Sequence, residues 1–73
     1  MIEEIKFLHS KLTSDEVLRI VLIRNDWEIK ADKTDIIGEF NGMIRIVRSN
    51  GTITSINPDA IAMICTMKRR AYL

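Results

Sequence analysis

The residues able to do chemistry are few and scattered. His9 and Cys65 are the single histidine and the single cysteine of a 73-residue chain, and His9 falls on the first helix, so no nucleophile with a nearby base is expected. Metal-ligand spacing is absent. Asp15 with Glu16, and Asp32 with Asp35, form carboxylate pairs of the kind that charged loops produce routinely. Gly38, Gly42 and Gly51 fall in separate turns and cannot build a phosphate-cradling loop. The expectation is a binding or structural protein, not an enzyme, with no cofactor and no metal. His9 reads as a surface residue and Cys65, set in an apolar run, as a small core residue.

Length and composition narrow the class further. One domain of this size buries only about 60% of its unfolded-chain surface, and oligomerisation often supplies the missing burial. The apolar fraction is 47%, but the only aromatic side chains are Phe7, Trp27, Phe40 and Tyr72. Aliphatic residues must therefore make the core, and the abundance of isoleucine favours strands. No apolar run, Ile20 to Ile23 and Ala60 to Cys65 included, is long enough to span a bilayer. The opening Met-Ile-Glu-Glu lacks the pattern of a secretory signal, so a cytoplasmic location is expected. Charge is unevenly spread: residues 1–41 carry a net −3 and residues 42–73 a net +4. Lys68, Arg69 and Arg70 form a basic tail, which fits either a nucleic-acid contact or a solvated end.

The elements that must position these residues follow from periodicity. Ile5, Leu8 and Leu12 recur at helical spacing over residues 1–12, with Glu3 and Glu4 near the positive end of the dipole and Lys11 near the negative end. Thr13-Ser14-Asp15-Glu16 matches a helix capping box, yet the β-branched run Val17–Ile23 that follows is equally a buried strand. We read it as a strand that turns at Arg24-Asn25-Asp26-Trp27, with helix as the open alternative. Trp27 to Lys30 alternates, residues 31–35 read as a loop or bent strand, and Ile36 to Phe40 resumes the pattern with Gly38 at a bend or bulge. Asn41-Gly42 is the strongest turn signal. Strands over Met43–Arg48, Thr52–Ile56 and Ala60–Met67 complete the chain, separated by Asn50-Gly51 and Asn57-Pro58-Asp59. On the last strand Ile61, Met63 and Cys65 should share one face. The fold class expected is mainly β with one N-terminal helix. Five short, strongly bent strands over residues 17–67 form a small barrel, and residues 68–73 form the tail.

This order of elements resembles the Sm-like family, and most closely its bacterial Hfq-like members. Phe7-Leu8 with Leu12 looks like the opening helix of those proteins, and Arg19-Ile20-Val21-Leu22-Ile23-Arg24-Asn25 like their first strand. Trp27-Glu28-Ile29 is similar to the start of the second strand. Asn41-Gly42-Met43-Ile44-Arg45-Ile46-Val47-Arg48-Ser49-Asn50-Gly51 matches the third strand and its turn in length. Ile56-Asn57-Pro58-Asp59-Ala60-Ile61-Ala62-Met63-Ile64 resembles the second Sm motif. Two departures stand out: Asn57-Pro58-Asp59 replaces the cationic group usual there, and Met43 stands near the usual base-stacking side chain.

The resemblance implies a homo-oligomeric ring that binds single-stranded RNA or an RNA–protein assembly. The RNA-contacting candidates it implies are Asn41, Met43, Arg45, Asn57 and Asp59, joined by Lys68, Arg69 and Arg70 of the tail. Residue by residue, the bland alternatives are a turn residue at Asn41, a core residue at Met43 and caps of the Pro58 break at Asn57 and Asp59. In a ring of this kind the fourth and fifth strands of neighbours pair, which makes Thr52, Ile53, Ile56, Ile61, Met63 and Ile64 the interface candidates. The alternative reading is a small phage-type structural or regulatory module that binds protein and no RNA. Neither reading calls for a membrane.

Overall fold

The structure, a computed structural model, describes residues 2–24 and 27–69. Helix α1 (Ile2–Ser10) is followed by strands β1 (Glu16–Leu22), β2 (Glu28–Ala31), β3 (Ile36–Phe40), β4 (Met43–Val47) and β5 (Ile53–Ile56). A 3₁₀ turn (Pro58–Ala60) then leads into β6 (Ile61–Lys68). The chain is mainly β with one N-terminal helix, as its patterning implies. The described residues form six strands, not five, in two antiparallel three-stranded sheets of order β2-β1-β6 and β3-β4-β5.

Helix α1 stops earlier than its apolar spacing implies. The N–H groups of Lys11 and Leu12 donate to Leu8 and His9 carbonyls, 3.2 Å each. These tighter i→i−3 bonds close the last turn. Leu12 is still buried, together with the fully buried Ile5. The capping-box residues do bond to each other: Thr13 N–H donates to Glu16 Oε1 (2.9 Å) and Thr13 Oγ1 to the same oxygen (3.0 Å). They introduce a strand instead of a helix, because the β-branched run from Val17 finds partners on both sides. Leu18 and Ile20 of β1 pair with Ala31 and Ile29 of β2 and with Thr66 and Ile64 of β6.

The stretch expected as one bent strand is broken at Asp32–Asp35, which yields the sixth strand. Asp35 N–H donates to the Asp32 carbonyl (3.2 Å). In return Asp32 N–H donates to Asp35 Oδ2 (2.9 Å) and Thr34 N–H to Asp32 Oδ1 (2.9 Å). Asp35 is buried, and Arg48 Nη1 reaches it at 3.0 Å. The same guanidinium donates to the Lys30 carbonyl at the end of β2. His9 Nε2–H donates to the Asp32 carbonyl at 2.8 Å, so His9 is half-buried and ties α1 to the bend, not a free surface residue.

Among the described residues no pairing joins β5 to β6, so the expected closed barrel is not formed within one chain. β5 and β6 each keep a free edge. The core lies between the sheets and under α1. Ile5, Leu18, Ile20, Ile44 and Ile46 are its largest fully buried side chains, each contributing about 1.5–3 kcal/mol through burial.

The turns follow their chemistry. Asn41 (φ 51°) and Gly42 (φ 78°) supply the two positive φ angles of a tight hairpin between β3 and β4. Gly38 makes no bulge and pairs regularly with Arg45. The irregularity lies instead between β1 and β6, where Val21 pairs with Met63 but Leu22 with Ile61. The extra residue, Ala62, reverses the facing of Ile61. Ile61 is therefore buried while Met63 is exposed, and the three side chains Ile61, Met63 and Cys65 do not share a face. Cys65 is half-exposed opposite Arg19, outside the core. Among the described residues no helix is long and apolar enough to cross a membrane.

Candidate nucleic-acid interface

The β3–β4 hairpin and the 3₁₀ turn lie at one end of sheet β3-β4-β5. The register that pairs Phe40 with Met43, and Ile44 with Ile56, sets Asn57 at the same end as Met43. Asn57 is the N-cap of the 3₁₀ turn: its Oδ1 accepts from Asp59 N–H (2.9 Å), and its carbonyl accepts from Ala60 N–H (2.9 Å). Pro58 occupies the first position, where its missing N–H costs nothing. Asn41 and Asp59 are exposed and Met43 is half-buried.

A second strand end is locked against this turn. Ile23 N–H donates to the Ala60 carbonyl (2.8 Å), and Leu22 N–H to the Trp27 carbonyl (2.7 Å). The result is an open cleft of about 290 Å³ lined by Leu22, Ile23, Arg24, Trp27, Asp59 and Ala60. Trp27 is 64% exposed, which leaves the chain's one indole accessible to solvent at the cleft. An apolar floor with one cation and one carboxylate at its rim suits a planar heteroaromatic ring carrying hydrogen-bond donors. Arg24 and Trp27 are not among the sequence candidates: Arg24 reads as the start of a turn, and Trp27 as the residue where that turn enters an alternating strand, facing the same side as Ile29. The signal that could have found the cleft is a tryptophan at a turn–strand junction.

The remaining candidates lie elsewhere. Arg45 projects from the outer face of β4, its guanidinium 4.3 Å from the Phe40 ring centroid. Lys68 ends β6 opposite Glu16. Its eight-residue strand carries it about 23 Å from the cleft end. Arg69 is exposed but anchored: its N–H donates to the Asp15 carbonyl (2.6 Å) and its guanidinium to Asp32 Oδ2 (3.2 Å). Arg70 lies outside the described residues. Of the interface candidates, Thr52, Ile53 and Met63 are exposed; Ile56 and Ile61 are core residues, and Ile64 packs on the core. Among the described residues no group of three or more His, Cys, Asp or Glu side chains is placed to hold a metal ion.

The outer face of sheet β2-β1-β6 carries a charge ladder in which Glu28 bonds Arg19 and, at 3.1 Å, Lys30. The Arg19 and Lys30 hydrogen bonds hold the Glu28 carboxyl below its ordinary range, and Arg19 is raised in turn. Asp32 is also held low, chiefly by the Thr34 hydroxyl and then by the Thr34 N–H and Arg69. Depressed folded-state values mean that this stabilisation is complete above the ordinary carboxylate range and is lost as pH falls through the folded values. The melting temperature should therefore hold steady from neutral pH to about pH 5 and fall below about pH 4. Glu28→Gln should flatten part of that acid limb in thermal melts. A melting temperature unchanged down to pH 3 would contradict the assignment.

No family model, curated protein or solved structure matches this chain.

Proposed function

We propose that the chain is a non-catalytic, cytoplasmic, Sm-like domain that assembles into a ring and binds single-stranded RNA. The strand order supports the architecture. β2 runs through the Asp32–Asp35 bend into β3, so the chain passes directly from sheet β6-β1-β2 into sheet β3-β4-β5. Counting β2 and β3 as halves of one bent strand recovers a five-stranded layout with β5 and β6 at its two open edges. A second copy can pair with each.

The observation that carries RNA binding is the Trp27 cleft. Every base has a π-face, and unpaired bases stack on exposed aromatic side chains. Asp59 accepts hydrogen bonds from an exocyclic amine, and Arg24 offers a cation to a phosphate. Asp59 belongs to the turn that is capped by Asn57. With few cations near the cleft, binding should be modest and weaken with salt through counterion release.

Trp27 is its own reporter, being the only tryptophan. Titration with oligo-A and oligo-U should quench its fluorescence saturably at low salt, while a fully paired hairpin RNA should not. Trp27→Ala should weaken oligonucleotide binding about tenfold by anisotropy, the loss expected for one stacked base. Absence of saturable quenching by either strand would defeat the RNA reading. The alternative, a protein-binding module, is favoured by a separate feature, the apolar outer face of β3-β4-β5.

A further inference from the structure

An antiparallel sheet with one wet side normally alternates apolar inward and polar outward. Sheet β3-β4-β5 does not. Ile37, Ile44, Ile46 and Ile56 face the core, yet Ile36 and Phe40 on the opposite face are also apolar and 67% and 53% exposed. Met43 and Val47 join them on that face, by the register that pairs them with Phe40 and Ile36.

Arg45 lies at the centre of this patch, flanked by Gly38 on β3 and Ser55 on β5. Space stands open above Gly38, and the guanidinium stacks on the Phe40 ring. The posture has a cost. Arg45 Nε is buried without a hydrogen-bond partner, and an unmet donor on a charged group is expensive unless an acceptor arrives. Aromatic, methionine and arginine side chains with few other charges are the composition of protein-interface centres.

The charge decides the occupant. Two copies meeting face to face would set Arg45 against Arg45 in a drying seam, which like charges oppose. A nucleic-acid strand would find one cation for several phosphates. We infer that this face docks a segment of a different protein, one that presents a carboxylate to Arg45 and surrounds it with apolar side chains. This site is independent of the Trp27 cleft. Ile53 borders it but lies on the free β5 edge, so the test leaves Ile53 unchanged.

Random peptides displayed on phage, selected against the full chain, provide the probe. Selected sequences should carry Asp or Glu flanked by Leu, Ile, Phe or Trp. In anisotropy, Arg45→Gln should weaken such a peptide at least about tenfold, as one charge-assisted contact implies. Exchange of the peptide's acid for its amide should do the same. Ile36→Ser should weaken binding too, whereas Lys6→Gln on α1 should leave it unchanged. Both sheet variants alter outward side chains, and their melts report folding directly. Selection of no peptide, of peptides without an acid, or of peptides indifferent to Arg45→Gln would overturn the inference. So would oligo-A displacing the peptide from wild type and losing its own binding in Arg45→Gln. Trp27 quenching by RNA that survives Arg45→Gln would separate the two sites.

Discussion

Arg48→Ala should destabilise the protein by about 3 kcal/mol, the low end of the loss for removing one partner of a buried ion pair. For a chain of this size that corresponds to a fall of roughly 12–24 °C in melting temperature. The guanidinium serves two acceptors at once, the Asp35 carboxylate and the Lys30 carbonyl. Its removal leaves Asp35, whose side chain is 6% exposed, as a buried charge with only the Asp32 N–H to offset it. It also frees the end of β2 from the start of β3, where the chain changes sheets. Arg48→Met with Asp35→Leu should recover part of the loss, since an apolar pair avoids the stranded charge. Recovery should be incomplete, because the Asp32 N–H would still lose the Asp35 carboxylate as its acceptor. Urea unfolding of the three variants measures this. A loss below about 0.5 kcal/mol for Arg48→Ala would place the pair with ordinary surface pairs and leave the bend to His9 and packing.

That ion pair also marks where sequence reading stops. Asn41-Gly42 was legible because two adjacent positive φ angles demand those residue types, and Asn57-Pro58 because proline ends a ladder. A strand forms over Val17–Leu22 because its β-branched residues outweigh the capping box, and Ile23 already belongs to the bend. The Asp32–Asp35 break was half legible: the polar run showed a bend, but nothing local showed that Asp35 would be buried against an arginine thirteen residues away. The β1–β6 bulge was not legible at all. Strict alternation along Ile61–Thr66 looks the same with or without an inserted residue, and only the register of a distant partner reveals it. For the site, Asn41, Met43, Asn57 and Asp59 do gather at one end. Lys68 and Arg69 fail to join them because their roles depend on where β6 ends relative to Asp15 and Asp32. Trp27 was visible as a residue; its exposure is a product of the turn that holds it.

The second large effect concerns assembly. If β5 of one copy pairs with β6 of the next, the wild type should run in native mass spectrometry as a closed multiple of 8.4 kDa. Such a contact is head-to-tail, so each copy offers two different edges, and both must be blocked or satisfied. Ile64, which faces the core, is a poor probe because a charge there would also damage packing. Met63 is exposed on the outer face of β6, so Met63→Lys should charge that edge without opening a cavity. On β5, Arg48 N–H donates to the Thr52 carbonyl, and antiparallel alternation then turns the Ser55 N–H toward the free edge. Ser55→Pro removes that donor while leaving the β4 ladder its bonds, the one setting in which a strand tolerates proline. Each variant alone should be monomeric. Mixed in equal amounts, they should form a dimer and nothing larger, because Ser55→Pro keeps a sound β6 edge and Met63→Lys a sound β5 edge. A symmetric contact of one edge with its own copy would give a different pattern, since the variant damaged on the other edge would then dimerise by itself. A wild-type chain that stays monomeric at micromolar concentration would remove the ring, and most of the support for the Sm-like reading would go with it.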